Sequence, residues 1–257
     1  MPTFLFDKIV FGPVMSRRLG VSLGVNLLPE NSKYCNFDCI YCECGRNPEN
    51  KSKKLPARTD VYAALENKLS VMQQSGQLPD AITFAGNGEP ALHPDFADII
   101  DDVILLRNRY TPQSQITVLS NATMLYKEEV VKALKKIDLP ILKLDSAIDA
   151  TIAMLNQPTK KISAAKLIEQ LQTFGNECII QTMFLKGEYN GKKVDNTTAA
   201  ELDAWENAVV AIRPEMVTIY SLARDTPIET LNKVSGDTLK NIAQRIINHG
   251  IKIQVSE

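Results

Sequence analysis

Apolar and polar residues alternate along six short segments of the chain. In "AITFAG", Ile82 and Phe84 flank Thr83, and in "ILKLDS", Leu142 and Leu144 flank Lys143. Alternation with a period of two is typical of a β-strand whose two faces lie in different surroundings. The six predicted strands are 21–28, 81–86, 115–121, 141–146, 178–185 and 216–222.

Segments with helical periodicity separate these strands. Regular alternation of strand and helix predicts a parallel sheet with crossover helices, which is an α/β fold. No repeat, low-complexity tract or linker interrupts this order, so we predict one domain over residues 1–257. The predicted helices lie near 60–75, 95–108, 127–136, 163–174, 199–211 and 237–249, and 251–256 predicts a short edge strand.

The polar positions within the strands point to a binding surface. A parallel sheet that is covered on both faces normally has strands that are apolar throughout. Here Lys143, Asp145, Gln181 and Tyr220 occupy one face of the later strands. We therefore expect an open, curved barrel whose inner face is lined for a ligand. Lys143, Asp145 and Tyr220 are the catalytic candidates, with Lys143 paired to Asp145 when no ligand is bound.

Composition and charge exclude several classes of protein. Lys plus Arg (29) nearly cancels Asp plus Glu (30), so no overall field favours nucleic acid or membrane. The N-terminus lacks the apolar run of a signal peptide, and no segment reaches the ~18 uncharged apolar residues of a membrane helix. These features predict a cytoplasmic location, where thiols stay reduced.

Four of the five cysteines fall within "KYCNFDCIYCECG". Clustered thiols in a reducing compartment indicate metal or redox chemistry. The spacing of Cys35, Cys39 and Cys42 suits three corners of a 4Fe–4S cluster with one iron left open. Cys44 is predicted to be a bystander, since a fourth thiolate would close that iron. The alternative is a zinc-stabilised binding module, although zinc sites usually need a second cysteine pair or a histidine pair. His93 and His249 are predicted to be packing or surface residues, and Cys178 a core residue.

Cys35, Cys39 and Cys42, with the aromatic Tyr41 just before the last, resemble the signature of the radical S-adenosylmethionine (radical SAM) enzymes. The resemblance implies a partial (β/α)6 barrel, a 4Fe–4S cluster on the three cysteines, and S-adenosylmethionine chelated to the open iron. It also implies reductive cleavage to a 5'-deoxyadenosyl radical that abstracts hydrogen from a substrate. An electron donor of the flavodoxin or ferredoxin type is the implied partner.

Other segments extend the resemblance to the cofactor site. "FAGNGEP", with Gly86, Asn87, Gly88 and Glu89, resembles the family's motif that receives the amino group of the methionine moiety. Ser120 and Asn121 in "LSNAT" resemble its ribose-binding position. Tyr41, Gln181 and Arg224 complete the predicted cofactor-binding set, with Arg224 assigned to a carboxylate or an anionic substrate.

Longer stretches such as "TFAGNGEPALHPDF", "LKLDSAIDATIAMLNQP" and "VTIYSLARDTP" resemble the wyosine-synthase-like subgroup. True wyosine synthases carry a second cysteine trio upstream, whereas here no cysteine precedes Cys35. The tRNA reaction is therefore not carried over, and RNA as a partner has no support in the balanced charge, despite Lys192 and Lys193 in a predicted loop. A small-molecule substrate and a glycyl-radical-enzyme activase both stay open.

Overall fold

The structure is a computed structural model that describes residues 4–16, 19–48, 54–223, 226 and 228–256. Eleven strands are described: β1 Val10–Ser16, β2 Gly20–Val25, β3 Ala81–Phe84, β4 Gln115–Ser120, β5 Leu139–Lys143, β6 Ile179–Met183, β7 Leu185–Tyr189, β8 Lys192–Asp195, β9 Met216–Tyr220, β10 Leu231–Lys233 and β11 Lys252–Ser256. The α-helices are α1 Arg58–Ser75, α2 Phe96–Tyr110, α3 Glu128–Leu134, α4 Asp149–Leu155, α5 Ala164–Gln172, α6 Ala199–Ile212 and α7 Gly236–Ile247.

Eight strands form the main sheet in the order β1-β2-β3-β4-β5-β6-β9-β11. β1 runs antiparallel to β2, and every other neighbouring pair is parallel. Among the described residues β1 and β11 do not pair with each other, so the sheet is open. The predicted α/β fold with a partial, open barrel is confirmed. The prediction of a single domain stays a prediction.

The six predicted strands and six predicted helices are all present within a few residues, and β11 confirms the predicted edge strand. β1, α4 and the small antiparallel sheet β10-β7-β8 were not predicted. The predicted strand 178–185 is in fact two strands. The Asn196 side chain accepts a hydrogen bond from the Leu185 N–H (2.9 Å) and donates to the Met183 carbonyl (2.8 Å), which leads the chain out of the main sheet. Lys192 and Lys193, expected in a loop, belong to β8.

The outer face of the barrel holds the main core. The apolar residues that alternate along each strand are buried beneath the helices, where each contributes about 1.5–3 kcal/mol relative to exposure. α1 and α2 supply Leu65, Leu69, Ile99 and Val103 to the same core. The buried residues of this alternating set, in the strands or directly after them, are Ile82, Phe84, Ile116, Val118, Leu142, Leu144, Ile180, Phe184, Val217 and Ile219.

The inner face carries the polar residues, as predicted. Register places Lys143 beside Gln181, Gln181 beside Thr218, and Thr218 beside Gln254. These four side-chain positions therefore form one row across β5, β6, β9 and β11. Among the described helices, none is long and apolar enough to cross a membrane.

Candidate functional site

The carboxyl ends of the parallel strands and the loops that follow them enclose a cavity of about 300 Å³. Eleven of the residues predicted from the sequence line it: Cys35, Cys39, Tyr41, Cys42, Gly86, Gly88, Glu89, Ser120, Asn121, Lys143 and Gln181. Cys44 also lines it, together with seven residues that the sequence did not single out for the site: Phe4, Phe6, Lys33, Phe37, Glu43, Ala85 and Leu119.

Backbone hydrogen bonds fix the cysteine loop, residues 35–44, on two sides. Just before the loop, Tyr34 donates its N–H to the carbonyl of Asn87 (2.8 Å), in the turn after β3. On the other side the Ile40 N–H donates to the carbonyl of Leu155 (2.9 Å), at the end of α4. Buried Phe37 and Ile40 anchor the loop in a second apolar cluster. The unpredicted helix α4 thus helps to position the cysteines.

The thiols differ in their surroundings. Burial is the main cause that raises the pKa of Cys35 and of Cys39. The pKa of Cys42 is lowered, chiefly because the Cys44 side chain hydrogen-bonds to it. The Cys44 sulfur also lies 3.6 Å from the carbonyl oxygen of Gly86, in the turn after β3.

The donor set can be compared with what each metal requires. Within the described ranges, no three His, Cys, Asp or Glu side chains form a group that could hold a single metal ion. A 4Fe–4S cluster instead takes cysteine thiolates as its protein ligands, and three of them lie around this one cavity. His93 contacts the Pro56 carbonyl (2.9 Å) and His249 contacts Glu206 (2.7 Å), so both are packing or surface residues, as expected.

Two glycines allow the turn after β3 to lie against the cysteine loop. Gly88 has φ 143° and forms a parallel bridge with Tyr34, and a β-carbon there would overlap the backbone oxygen of Tyr34. Gly86, with φ 151°, leaves space for the side chain of Asn26. The sequence had assigned the glycines to ligand contact, whereas the structure shows that they first serve the packing of the loop.

Glu89 joins the ends of β3 and β4. Its Oε1 accepts hydrogen bonds from the Ala91 N–H (3.0 Å) and the Ser120 hydroxyl (2.8 Å), and its Oε2 accepts from the Asn121 N–H (2.6 Å). Burial is the largest influence on its pKa and raises it to about 7, against the opposing effect of these donors. Since a carboxylate has about four acceptor sites, one stays available for a cation in the cavity.

Ser120 and Asn121 face the cavity with their side chains partly engaged in the protein. The Ser120 hydroxyl donates a hydrogen bond to Glu89 and accepts one from the Ala122 N–H (3.1 Å). The Asn121 amide donates to the Asn36 side chain (2.7 Å) and to the sulfur of Cys35 (3.6 Å). Asn121 therefore links the end of β4 to a predicted metal ligand.

Asn87 departs from its predicted role. It is fully buried and does not line the cavity. Its side-chain amide donates to the carbonyls of Phe6 and Pro29 and accepts from the Phe6 N–H, each at 2.8 Å. These hydrogen bonds hold the N-terminal segment and the segment after β2 against the turn, so Asn87 has a structural role.

Asp145 is the centre of a buried network. Its Oδ1 accepts from the Met183 N–H (2.9 Å) and from Lys143 (3.4 Å), which is the pairing predicted from the sequence. Its Oδ2 accepts from the Asn156 amide (2.7 Å) and from the Tyr41 hydroxyl. Because Asp145 is buried and does not line the cavity, it acts on the site through Lys143 and Tyr41.

Lys143 belongs to this network and its side chain lines the cavity. Burial by itself lowers its pKa, but the charge of Asp145, with contributions from Tyr220 and Cys39, outweighs burial and raises the pKa. The ammonium donates to the Tyr41 hydroxyl (3.1 Å) and lies 5.3 Å from the centre of the Tyr41 ring. Lys143 is thus held in its charged form at the edge of the site.

The two remaining candidates differ in position. Tyr220 does not line the cavity, but it interacts electrostatically with both Lys143 and Tyr41. Arg224 lies outside the residues that the structure describes.

Lys33 and Asn156 were missed by the sequence analysis. Lys33 precedes the first cysteine by two residues, so its closeness to the cysteine motif could have identified it as a candidate site residue. Asn156 donates to the sulfur of Cys39 (3.4 Å) across 117 positions of sequence, and no local pattern could reveal that contact.

A family model decides the identity of the fold. Residues 32–194, which include the cysteine loop, the turn after β3 and the strands β3 to β8, match the model of the radical SAM superfamily. The chain belongs to the radical SAM superfamily. It is therefore an enzyme of the radical SAM class, which uses a 4Fe–4S cluster and S-adenosylmethionine, and the zinc-stabilised module is set aside.

Two relatives show how far this radical SAM chain extends along longer proteins. It is 31% identical over 183 residues to a UPF0026 protein of Methanocaldococcus jannaschii, covering 69% of this chain and 54% of that protein. It is 30% identical over 240 residues to a protein of Brachyspira hyodysenteriae named GTPase Obg, covering 92% of this chain and 33% of that protein. The chain thus spans from a third to about half of their lengths.

Solved radical SAM structures share the fold. A radical SAM methyltransferase from Sphaerobacter thermophilus superimposes with a TM-score of 0.66 at 14% identity, over 91% of this chain and 65% of that one. TYW1 with a bound lysine–pyruvate adduct gives 0.62 at 13% identity, over 88% and 73%. At such low identity these likenesses show the fold alone.

We expect the affinity of this radical SAM chain for S-adenosylmethionine to depend on the charge of Glu89. The pKa of Glu89 is raised to about 7, so its carboxylate is neutral below that pH and charged above it. Affinity should fall as the pH drops from about 8 to about 6, because the neutral acid attracts an ammonium group less strongly. Glu89→Gln should weaken binding by about one to two orders of magnitude and abolish this dependence.

Titration calorimetry on the cluster-loaded protein measures both effects. The exposed Glu128→Gln on α3 serves as the matched control and should bind like the unaltered chain. Equal affinity at the two pH values in the unaltered chain would reject the role assigned to Glu89.

Proposed function

We propose that this chain binds a 4Fe–4S cluster through Cys35, Cys39 and Cys42, binds S-adenosylmethionine beside it, and directs the resulting radical at a polar substrate on the inner face of the barrel. The observation that carries this proposal is the composition of one cavity. It holds the three cysteines, the Gly86–Glu89 turn, Ser120 and Asn121, and also Lys143 and Gln181 from the inner face.

The residues around the cavity divide into two groups. Glu89 and the turn before it lie on the side of β3 and β4, and they suit the ammonium and ribose groups of the cofactor. Lys143 and Gln181 lie on β5 and β6 and begin the polar row that continues to Thr218 and Gln254. Within the cavity, Lys143 and Gln181 supply a cation and a carboxamide, which suit a substrate with hydrogen-bonding groups.

The cluster, when bound, supplies the electron that cleaves the sulfonium of S-adenosylmethionine to a 5'-deoxyadenosyl radical. The protein must then hold the target hydrogen close to that radical and keep other hydrogen donors away. Phe4, Phe6 and Phe37 line the cavity with apolar surface and help to exclude water. Lys143, fixed by Asp145 and Tyr41, offers a charge that is already in position for the substrate.

The reaction also needs an electron donor, for which we propose a flavodoxin or ferredoxin, in a cytoplasmic setting. The activase alternative differs only in the substrate, since a peptide loop with a glycine would enter the same cavity. The structure of a pyruvate-formate lyase-activating enzyme domain shares the fold, with a TM-score of 0.51 over 69% of this chain.

Release of 5'-deoxyadenosine tests the proposal. The anaerobically reconstituted protein, with dithionite and S-adenosylmethionine, should form 5'-deoxyadenosine slowly, and the correct substrate should increase its formation together with a coupled product. Candidate small molecules, RNA and a glycyl-loop peptide can be compared side by side, and a glycyl radical signal would identify the activase. Absence of 5'-deoxyadenosine from protein with a full cluster would refute the proposed function.

A further inference from the structure

Lys33 is a buried cation that none of the roles described above uses. Its side chain is 2% exposed and lies directly before the cysteine loop, at the lining of the cavity. A lysine is seldom buried to this extent unless its charge is matched by partners. The groups around the Lys33 ammonium therefore indicate its role.

Three partners take up the three N–H groups of the Lys33 ammonium. It donates to Asp38 (3.0 Å) and to the carbonyl of Gly45 (2.8 Å), and it also hydrogen-bonds the side chain of Cys42. Asp38 and Gly45 thus hold the ammonium in place, in the lining of the same cavity as Cys42. A fixed positive charge therefore lies beside a predicted cluster ligand.

The carboxylate that pairs with Lys33 is shared with a second cation. Asp38 is shared between two cations, because Arg46 lies 3.4 Å from its other carboxylate oxygen. Asp38 also accepts from the Asn47 N–H (2.9 Å), so its position does not depend on Lys33 alone. The other buried cation of the site, Lys143, acts on Cys39 and is balanced by the buried Asp145. Lys33, Arg46 and Asp38 together leave one positive charge beside Cys42, and Glu43, which also lines the cavity, is the same in every variant compared below.

Hydrogen bonds to the sulfurs and nearby charges are among the features that set the reduction potential of an iron–sulfur cluster. One-electron reduction makes the cluster more negative without forming or breaking a bond, and a fixed cation favours the reduced form. We propose that the buried Lys33 ammonium, held against Cys42 by Asp38 and Gly45, raises the reduction potential of the cluster bound by Cys35, Cys39 and Cys42. Lys33 is then a positioning residue that makes the cluster easier to reduce, an inference that rests on the proposed function.

Paired substitutions of opposite sign test this role. Lys33→Met keeps most of the side-chain volume and removes the charge, so at a given potential the ratio of reduced to oxidised cluster should fall about tenfold, a shift of about 59 mV for one electron. Asp38→Asn keeps Lys33 and removes the opposing charge, so the potential should rise. Lys132→Met, on the exposed face of α3, is the matched control and should leave the potential unchanged.

The measurement is an anaerobic redox titration of the reconstituted protein without S-adenosylmethionine, followed by the spin resonance signal of the reduced cluster. Shifts of opposite sign support the proposal, whereas unchanged potentials in variants with full clusters overturn it. If Lys33→Met fails to retain a cluster, Asp38→Asn decides alone, and a potential that does not rise overturns the inference. A wild-type protein that binds no cluster would instead refute the proposed function.

Discussion

Replacing Cys35, Cys39 or Cys42 with alanine should each abolish the 4Fe–4S cluster, whereas Cys44→Ala should retain it. Changes outside the first coordination shell already cost metal sites about 10- to 100-fold in affinity, so loss of a ligand should cost at least as much. The Cys44 thiol hydrogen-bonds Cys42 and lies beside the Gly86 carbonyl. Cys44→Ala therefore removes only weak interactions of a thiol. Iron and sulfide quantitation with low-temperature spin resonance measures the outcome.

The control for that series is Cys178→Ala, a buried core cysteine far along the sequence. It separates loss of a ligand from a general loss of thiols or of folding. If Cys44→Ala lost the cluster as completely as the other three variants, the three-ligand assignment would be wrong.

Asp145→Ala should destabilise the protein strongly, while Lys143→Met should not. Asp145 is buried and accepts from Tyr41, Asn156, Lys143 and the Met183 N–H, so its removal leaves several buried donors without a partner. Breaking a buried charged pair in this way costs about 3–5 kcal/mol. Lys143→Met breaks the same pair, but the carboxylate keeps its other three donors, so we expect a smaller cost of about 1.5–3 kcal/mol. Urea unfolding of the cluster-free proteins measures the free energy of unfolding in each case.

Lys143→Met should nevertheless have a large effect on activity. Lys143 faces the cavity, so Lys143→Met should lower formation of the coupled product by about 100-fold while leaving cluster content unchanged. The product is assayed with the substrate that the 5'-deoxyadenosine screen identifies. Equal losses of stability in both variants would contradict the division between a structural Asp145 and a substrate-facing Lys143.

The order of strands and helices was predictable because each unit carries its own periodicity. Ile82 and Phe84 are buried under the helices, whereas Lys143 and Gln181 line the cavity. Such alternation can be recognised from the sequence because successive side chains of a strand point to opposite faces of the sheet. The strand 178–185 was mispredicted because the residue that divides it, Asn196, lies beyond the segment and acts only through the fold.

The unpredicted strand β1 has a different cause. Gly12 and Pro13 interrupt the alternation of apolar and polar residues in this segment. Because Pro has no N–H to donate to a neighbouring strand, the sequence did not predict a strand here. At the edge of the sheet it pairs with β2 alone, with an irregular register between Phe11 and Val14. An edge strand tolerates a proline and an irregular register, whereas a central strand needs hydrogen bonds to neighbours on both sides.

The sequence by itself determined the cysteine spacing, the alternation of six strands with six helices, and the polar inner face of the sheet. Only the tertiary structure decided which polar residues face the cavity and which serve the protein. As sequence positions Asn87 and Asp145 were equivalent to Glu89 and Lys143, yet only Glu89 and Lys143 line the cavity, while Asn87 and Asp145 are held by internal partners. The reason is physical: a buried polar group must find hydrogen-bond partners, and these partners lie far along the chain, where no local pattern records them.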